Sequence, residues 1–234
     1  MVLQAQEGQL TTSAAAVLVA TAVPAERDAV ARALDGLPGV DVIAAGVGPA
    51  LAAAATATAL TTAAHAGTPY GLVVSTGIAG GFAPHAPVGS LVVADEITAA
   101  DLGAETSDGF LPVTELGFGT VTHRPPETLV REVATATGAR TGAVLTVSTV
   151  TGTAVRAAQL RERHPTALAE AMEGFGVAEA ASAHRTAVLE LRAISNPVGP
   201  RDRAAWRIGD ALAALTDGFG KLAPVLRSWN PHDS

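Results

Sequence analysis

A glycine-rich segment at residues 75–81 carries the sequence's most informative local signal for ligand binding. It follows an apolar run typical of a buried strand, and Gly77, Gly80 and Gly81 allow the backbone to approach a ligand closely. We expect a loop that binds phosphate or ribose, although a tight turn without a ligand explains the same residues. The dinucleotide fingerprint is not met, because the glycine spacing differs and the segment follows the third predicted strand.

Two carboxylates stand where they could contact a polar ligand. Glu26 comes just after the first predicted strand, and loops at the carboxyl ends of parallel strands are where α/β sheets bind ligands. A favourable interaction with the helix dipole explains Glu26 equally well. Glu173 stands between apolar residues and a glycine, and a buried carboxylate needs partners, for which the paired hydroxyls of a ligand are one candidate.

Asn196 ends an apolar strand in the tripeptide Ser195-Asn196-Pro197, where the proline stiffens the chain. An amide donates and accepts hydrogen bonds at once, which suits the edge of a purine. An ordinary Asn-Pro turn is the alternative. The six histidines have no metal-binding spacing and no G-x-S-x-G motif occurs, so the sequence predicts neither a metal site nor a serine hydrolase.

Short apolar runs alternate with alanine-rich helical stretches, which is the pattern of a mostly parallel sheet covered by helices. We expect one α/β domain over residues 1–234, with residues 1–13 as a flexible N-terminal segment. The predicted strands are 15–21, 40–45, 71–76, 90–97, 143–148 and 187–194, and the predicted helices are 25–34, 49–66, 126–137 and 202–227. Residues 77–89 are predicted to form a loop.

Residues 166–183 allow two interpretations. Helix propensity alone favours a single helix, but Gly174 and Gly176 interrupt it. A strand at 167–172 followed by a helix is the alternative. Local patterning leaves both open.

Composition excludes several classes of protein. The 234 residues are 48% hydrophobic and 16% charged, which excludes intrinsic disorder, and the absence of cysteine excludes a disulfide scaffold, a thiolate nucleophile and cysteine-ligated metal. A net charge of −7 without a basic cluster argues against nucleic acid as a partner. The first apolar run is too short to span a bilayer and lacks the basic flank of a signal peptide. We therefore expect a cytoplasmic protein without a membrane partner.

Four segments together resemble the nucleoside phosphorylase/nucleosidase superfamily and, within it, the futalosine hydrolases. They are STGIAGGFAPHAPVGSLVVADEI (75–97), DLGAETSDGFLPV (101–113), AEAMEGFGVAEAA (169–181) and LRAISNPVGPRDRAAW (191–206). The resemblance implies a three-layer α/β/α fold with a central mixed, mostly parallel sheet, a homodimer or larger homo-oligomer, and no cofactor. It also favours the strand at 167–172. The implied reaction is hydrolysis of a purine nucleoside, futalosine, which releases hypoxanthine on a route to menaquinone.

The resemblance also implies roles for individual residues. Glu26 would activate water, Met172 would pack on the ribose and Glu173 would hold the ribose hydroxyls. Asn196 stands where related methylthioadenosine/S-adenosylhomocysteine nucleosidases have an aspartate that serves the purine N7. An amide cannot deliver a proton, but it can bridge N7 and O6 of a 6-oxopurine. This departure favours hypoxanthine over adenine as the base.

Two further positions depart from these nucleosidases. Ile78 replaces the serine of their TGSAGG segment, so Thr76 is a candidate to supply a hydroxyl. No aromatic residue occurs at 149–153, where relatives stack the base on a phenylalanine. Either another aromatic residue, such as Phe82, Phe175 or Trp206, takes that place, or the base is held mainly by hydrogen bonds.

The acceptor and the substrate's tail can also be assigned by resemblance. Phosphorylases often carry an arginine just before the glycine-rich segment, and this chain has none there, so we expect water as the acceptor. Futalosine has an aromatic carboxylate at its 5′ end, and Arg201 and Arg203 are candidate partners, although surface arginines at the start of the last helix explain the same residues. Residues 101–112 are a second candidate for covering this tail. The alternatives are a nucleosidase for methylthioadenosine, S-adenosylhomocysteine or aminodeoxyfutalosine, a purine nucleoside phosphorylase, and a nucleoside-binding sensor.

Overall fold

A computed structural model describes residues 15–230. Residues 1–13, predicted to be a flexible N-terminal segment, lie outside this range. The strands are β1 Ala16–Thr21, β2 Val40–Ala44, β3 Tyr70–Gly81, β4 Leu91–Ala99, β5 Gly103–Thr106, β6 Gly109–Pro112, β7 Thr122–His123, β8 Arg140–Thr146, β9 Ala167–Ala171 and β10 Ala187–Pro197. The helices are α1 Pro24–Ala33, α2 Pro49–His65, α3 Glu127–Thr137, α4 Ala154–Arg163, α5 Gly174–Ala183 and α6 Ile208–Ser228, with a 3₁₀ helix at Arg203–Ala205.

The central sheet is mixed and partly closed. Strands β2, β1, β3 and β10 are parallel neighbours. Strand β10 pairs antiparallel with β4, and β4, β8 and β9 continue as parallel neighbours. Strand β9 then pairs antiparallel with the end of β3 at Gly80 and Gly81, so that β3, β10, β4, β8 and β9 form a ring.

Helices cover both faces of this sheet and bury two large apolar cores, and a smaller third cluster includes Phe82 and Leu160. One core contains residues of α2 and α5, such as Leu60 and Phe175, and the other contains residues of α1, α3 and α6, such as Leu129 and Phe219. Helix α6 buries residues at positions 211, 215, 219, 222 and 226, which is the spacing of one helical face. The expected three-layer α/β/α fold is thus confirmed. Between residues 15 and 230, no helix is both long and apolar enough to cross a membrane.

The glycine-rich segment is a strand, so the loop predicted at 77–89 is wrong at its start. Strand β3 continues to Gly81 because β10 pairs with it on one side and β9 on the other. At Gly81 an added Cβ would overlap the carbonyl oxygen of Ala86, so a larger residue does not fit. The backbone hydrogen bonds of two distant strands thus override the local preference of glycine for turns.

Two helix predictions also change. Residues 166–183 form strand β9 and helix α5, so the single helix favoured by propensity is wrong and the alternative is confirmed. The last helix begins at Ile208 and not at residue 202, because residues 203–205 form the 3₁₀ helix and Trp206 has extended backbone angles. Helix α4 and the hairpin of β5 and β6 had no counterpart among the predicted elements.

Helices α2 and α5 approach each other closely at Gly176, where an added Cβ would overlap the carbonyl oxygen of Pro49. We expect Gly176→Ala to lower the free energy of unfolding by about 1–3 kcal/mol, because the two helices must separate. Urea denaturation measures this change. Gly220→Ala on α6 is the matched control, since no heavy atom lies within 4 Å of its added Cβ, and it should stabilise the protein by up to about 1 kcal/mol. Equal changes in the two variants would contradict the packing argument.

Candidate active site

A cavity of about 540 Å³ lies where strands β1, β3, β9 and β10 end. It brings together seven of the nine residues predicted from the sequence to form the site. These are Glu26, Ile78, Gly80, Met172, Glu173, Asn196 and Arg201. Thr76 and Gly77 do not line the cavity. Its position agrees with the general rule that α/β sheets bind ligands at strand ends.

Glu26 is 4% exposed, and backbone N–H groups from two chain segments fix its carboxylate. Its Oε2 accepts hydrogen bonds from the N–H groups of Ala22 at 2.9 Å and Val23 at 3.2 Å, just before helix α1. Its Oε1 accepts a hydrogen bond from Ile78 N–H at 2.9 Å. A carboxylate oxygen has two acceptor positions, so Oε1 keeps one for a ligand or water. Glu26 thus lies in the first turn of α1 and also lines the cavity.

Gly77 and Thr76 lie beneath the cavity. An added Cβ at Gly77 would lie 2.6 Å from Oε1 of Glu26, and the φ of Gly77 is +149°, so both space and backbone conformation require glycine. The Thr76 side chain is buried, and its hydroxyl donates to the carbonyl oxygen of Leu191 at 2.6 Å. Gly77 thus supports Glu26 indirectly, and Thr76 links β3 to β10.

Glu173 lies at the start of helix α5 and is 7% exposed as a residue. Its Oε1 accepts a hydrogen bond from Gly48 N–H at 3.3 Å, and its Oε2 accepts one from Met172 N–H at 3.3 Å. One acceptor position of Oε1 is still open toward the cavity. Met172 is half-buried beside it, so an apolar surface and a carboxylate adjoin each other.

A buried arginine compensates the acidic residues below the cavity. Arg192 is fully buried and its Nε donates to Oε1 of Glu190 at 2.8 Å, while its Nη2 donates to Ser75 Oγ at 3.2 Å. Its Nη1 lies 3.3 Å from Oε2 of Glu173. Burial alone would lower the pKa of Arg192, but the charges of Glu190, Glu173 and Glu26 raise it above its ordinary value. Burial raises the pKa of Glu190, and Arg192 opposes that shift.

Asn196 extends from the end of β10 into the cavity. Ser195 Oγ donates to its Oδ1 at 2.9 Å, and its Nδ2 donates to the carbonyl oxygen of Pro197 at 3.0 Å. One hydrogen of Nδ2 is therefore still available for a ligand. The neighbouring Gly80 has no room for a side chain, since an added Cβ would lie 2.9 Å from Val198 Cγ2.

Glu170 on strand β9 is a third buried carboxylate in the cavity wall, at 6% exposure. Thr151 donates to it twice, from its N–H to Oε1 at 2.8 Å and from its hydroxyl to Oε2 at 2.5 Å. Burial raises the pKa of Glu170, although the Thr151 hydrogen bonds and the charge of Arg156 oppose the shift. Nearby Asp101 raises the pKa further.

The aromatic residue of the cavity is Trp206. The guanidinium groups of Arg201 and Arg203 lie 5.7 Å and 5.8 Å from the centre of its ring, within the range of a cation–π interaction. Between residues 15 and 230, neither arginine pairs with a carboxylate within 4.0 Å. Phe82 and Phe175 are core residues that do not reach the cavity.

Sequence reasoning missed four residues of this site, and three of them had a signal. Glu170 interrupts an otherwise apolar strand, and a buried charge needs a partner. Glu190 and Arg192 stand two positions apart in another apolar strand, which places opposite charges on one face. Thr151 had no signal, because its role depends on a loop that only the fold brings beside β9.

The fold and the cavity define a class of α/β proteins that hold a polar ligand at the strand ends of a mixed sheet. Residues 17–223 match the model of the phosphorylase superfamily. A futalosine hydrolase of Streptomyces coelicolor is 74% identical over 232 residues, which cover 93% of this chain and 99% of that relative. The chain therefore belongs to the phosphorylase superfamily and, within it, to the futalosine hydrolases.

Solved structures share the fold at lower sequence identity. One is a 5′-methylthioadenosine/S-adenosylhomocysteine nucleosidase of Neisseria meningitidis in complex with methylthio-immucillin-A. Its TM-score is 0.76 at 18% identity, and the alignment covers 92% of this chain and 99% of the nucleosidase chain. A futalosine hydrolase of Helicobacter pylori has a TM-score of 0.73 at 14% identity. The alignment covers 91% of this chain and 98% of the Helicobacter pylori chain. At these identities the likeness is one of fold.

Proposed function

We propose that the protein is a nucleosidase that hydrolyses the N-glycosidic bond of futalosine in menaquinone biosynthesis. The products are hypoxanthine and dehypoxanthine futalosine. One observation carries this proposal: Glu26, Glu173 and Asn196 line the same cavity of a chain that is 74% identical to a futalosine hydrolase. A single domain is sufficient for this site, because all three residues come from one closed sheet and its helices.

The reaction requires a base for water and an acceptor for negative charge on the purine. The bond between the ribose C1′ and the purine N9 breaks, its electron pair moves to the purine, and the ribose becomes oxocarbenium-like, as in glycoside hydrolysis. Glu26 takes a proton from a water molecule whose oxygen bonds to C1′, and the purine leaves as an anion that takes up a proton from solvent to give hypoxanthine. General base catalysis of this kind contributes roughly 10²- to 10⁴-fold.

The sugar lies against Met172 and Glu173 in this proposal. The open acceptor position of Glu173 Oε1 receives a ribose hydroxyl, and the negative charge also favours the oxocarbenium-like sugar. Arg192 keeps this carboxylate in place from below the cavity. The Met172 side chain supplies an apolar surface for the ribose ring.

The base lies at Asn196. Its free Nδ2 hydrogen is donated to the N7/O6 edge of hypoxanthine, where negative charge develops as the bond breaks. The Ser195 hydroxyl fixes the amide in this orientation by donating to Oδ1. Because an amide has no proton to transfer to N7, the site suits a 6-oxopurine better than adenine.

Water fits the acceptor site better than phosphate does. Glu26 and Glu173 face the cavity with carboxylate oxygens, and the nearby cation, Arg192, is fully buried and already paired with two carboxylates. A phosphate dianion at this end of the cavity would meet like charges.

The cavity mouth fits the aromatic carboxylate at the 5′ end of futalosine. Arg201 provides a cation without a carboxylate partner among residues 15–230, and Trp206 beside it provides an aromatic surface. We also propose a homodimer or larger homo-oligomer, because Val47 and Leu51 beside the cavity are 54% and 57% exposed. A cytoplasmic location is proposed from the cysteine-free sequence.

The substrate proposal predicts a specific pattern of base release. Purified protein is incubated without phosphate with futalosine, inosine or methylthioadenosine, and the free base is measured by chromatography. We expect hypoxanthine from futalosine and little base from the other two nucleosides, since only futalosine carries the carboxylate tail. Adenine release from methylthioadenosine as the main activity, or a requirement for phosphate, would contradict the proposal.

The base role of Glu26 predicts that Glu26→Gln lowers kcat by about 10²- to 10⁴-fold while nucleoside binding persists. Steady-state kinetics give kcat, and calorimetric titration with futalosine gives the affinity. Glu132→Gln, an exposed carboxylate on α3, is the matched control and should keep wild-type rates. Wild-type turnover in Glu26→Gln would remove Glu26 from this role.

The role of Asn196 predicts that Asn196→Asp shifts base preference toward adenine, because a carboxyl group can protonate N7 of a 6-aminopurine. The measurement is the ratio of kcat/KM for futalosine to kcat/KM for aminodeoxyfutalosine, its 6-amino counterpart. We expect this ratio to fall about tenfold or more. An unchanged ratio would show that Asn196 does not face the base.

A further inference from the structure

Glu190 is a fully buried carboxylate beneath the cavity, and the proposed mechanism does not use it. It stands in the apolar strand β10 and does not line the cavity. Its Oε1 accepts a hydrogen bond from Arg192, while its Oε2 has no hydrogen-bond partner among residues 15–230. A carboxylate oxygen without a donor is costly in a protein interior. Replacing buried ion pairs with apolar residues often leaves stability unchanged or higher, so stability alone does not explain this charge.

Glu190 fits closely against the first turn of helix α5. An added Cβ at Gly174, the first residue of α5, would lie 2.2 Å from Oε2 of Glu190, so a side chain there would displace the carboxylate. The positive end of the helix dipole at this turn favours a negative charge. Glu173 directly precedes the same turn. The carboxylate of Glu190 is thus held next to the segment that carries Glu173.

The guanidinium of Arg192 divides its N–H groups between these two carboxylates. Nε and Nη2 share one edge of the guanidinium, and they donate to Glu190 at 2.8 Å and to Ser75 at 3.2 Å. Nη1 approaches Glu173, and its distance of 3.3 Å to Oε2 is the longest of the three. The donors of arginine form a rigid planar fork. The orientation that serves Glu190 and Ser75 therefore decides how Arg192 meets Glu173.

We propose that Glu190 is a positioning residue, which holds Arg192 so that Glu173 keeps an oxygen and its negative charge available to the ribose. The inference rests on the proposed function. Without Glu190, Arg192 is free to turn an edge with two donors toward Glu173 and bind both of its oxygens, which is the favoured geometry of an arginine–carboxylate pair. Such a pair would occupy the acceptor position of Oε1 that receives a ribose hydroxyl.

The charge of Glu190 matters as well as its position. The carboxylates that act on the positive charge of Arg192 are those of Glu190, Glu173 and Glu26. The charges that act on Glu190 are those of Arg192 and Glu173, and its other contacts, from β3 and α5, are uncharged. The ribose becomes positively charged as the bond to the base breaks, so a buried cation beneath it opposes the reaction unless it is compensated. Glu190 provides this compensation from the side away from the cavity.

The test is Glu190→Gln, whose side-chain oxygen still accepts from Nε of Arg192 although the charge is lost. We expect kcat for futalosine to fall about tenfold or more, because the positive charge of Arg192 then weakens the stabilisation that Glu173 gives to the sugar. The acidic limb of the pH profile of kcat/KM reports protonation of essential groups in the free enzyme. It should move to lower pH by about one unit, because the uncompensated cation opposes protonation of the cavity carboxylates.

A double-mutant cycle tests whether Glu190 acts through Arg192. Arg192→Met removes the cation, and Arg192→Met/Glu190→Gln changes both residues. Burial raises the pKa of Glu190, so Glu190 without its cation takes up a proton, and the further change to glutamine alters neither charge nor volume. We therefore expect these two variants to have similar kcat values. A further loss as large as that of Glu190→Gln alone would overturn the inference, because Glu190 would then act independently of Arg192.

Two more variants separate the charge of Glu190 from its packing. Glu190→Asp keeps the charge, so its acidic limb should stay at the wild-type pH even where the shorter side chain lowers kcat. A shift equal to that of Glu190→Gln would contradict the role of the charge. Glu132→Gln, on the exposed side of α3, is the control for net charge and should keep the wild-type rate and pH profile.

Thermal melting of each variant distinguishes a folding defect from a slower reaction. A Glu190→Gln protein that melts at a lower temperature, yet keeps the wild-type kcat and acidic limb, would assign Glu190 to stability and overturn the inference. Wild-type protein that does not cleave futalosine would instead refute the proposed function itself.

Discussion

The closure of the sheet at Gly80 and Gly81 is the constraint on which the site depends. These two residues pair with β9 on one side and with β10 on the other, although the two strands are separated by helix α5 in the chain. A side chain at either position would collide with the backbone or side chains next to it. Without this closure, Glu170 in β9 and Glu173 just after β9 would not line one cavity with Asn196 near the end of β10.

The closed sheet brings several carboxylates close together, and the positive charge of Arg192 offsets their mutual repulsion. Arg192 interacts with Glu190 and Glu173, and its pKa is raised by their charges and by that of Glu26. Buried charges of one sign are costly unless they are paired. The acidic site at the surface of the sheet thus depends on a cation in its interior, which explains why an apolar strand contains both Glu190 and Arg192.

Much of the fold could be predicted because strands and helices of an α/β protein have distinct local patterns. The run before Gly77 predicted a buried strand, and Pro49 predicted the start of α2. The predictions failed where distant hydrogen bonds decide the structure, as at Gly80 and Gly81. Glu26, Glu173 and Asn196 could be predicted because each follows the end of a predicted strand, whereas Glu170 lies within a predicted strand and gains its partner Thr151 only when the fold brings the loop after β8 beside β9.

The two tryptophans of the chain report on different parts of the molecule. Trp206 lies at the cavity mouth between Arg201 and Arg203, whereas Trp229, which directly follows α6, is 6% exposed in one of the apolar cores. An occupant of the cavity changes the solvent and charge around the first indole and leaves the second in its apolar surroundings. The protein therefore carries an intrinsic fluorophore for ligand binding and, in the same chain, an internal reference for the integrity of the fold.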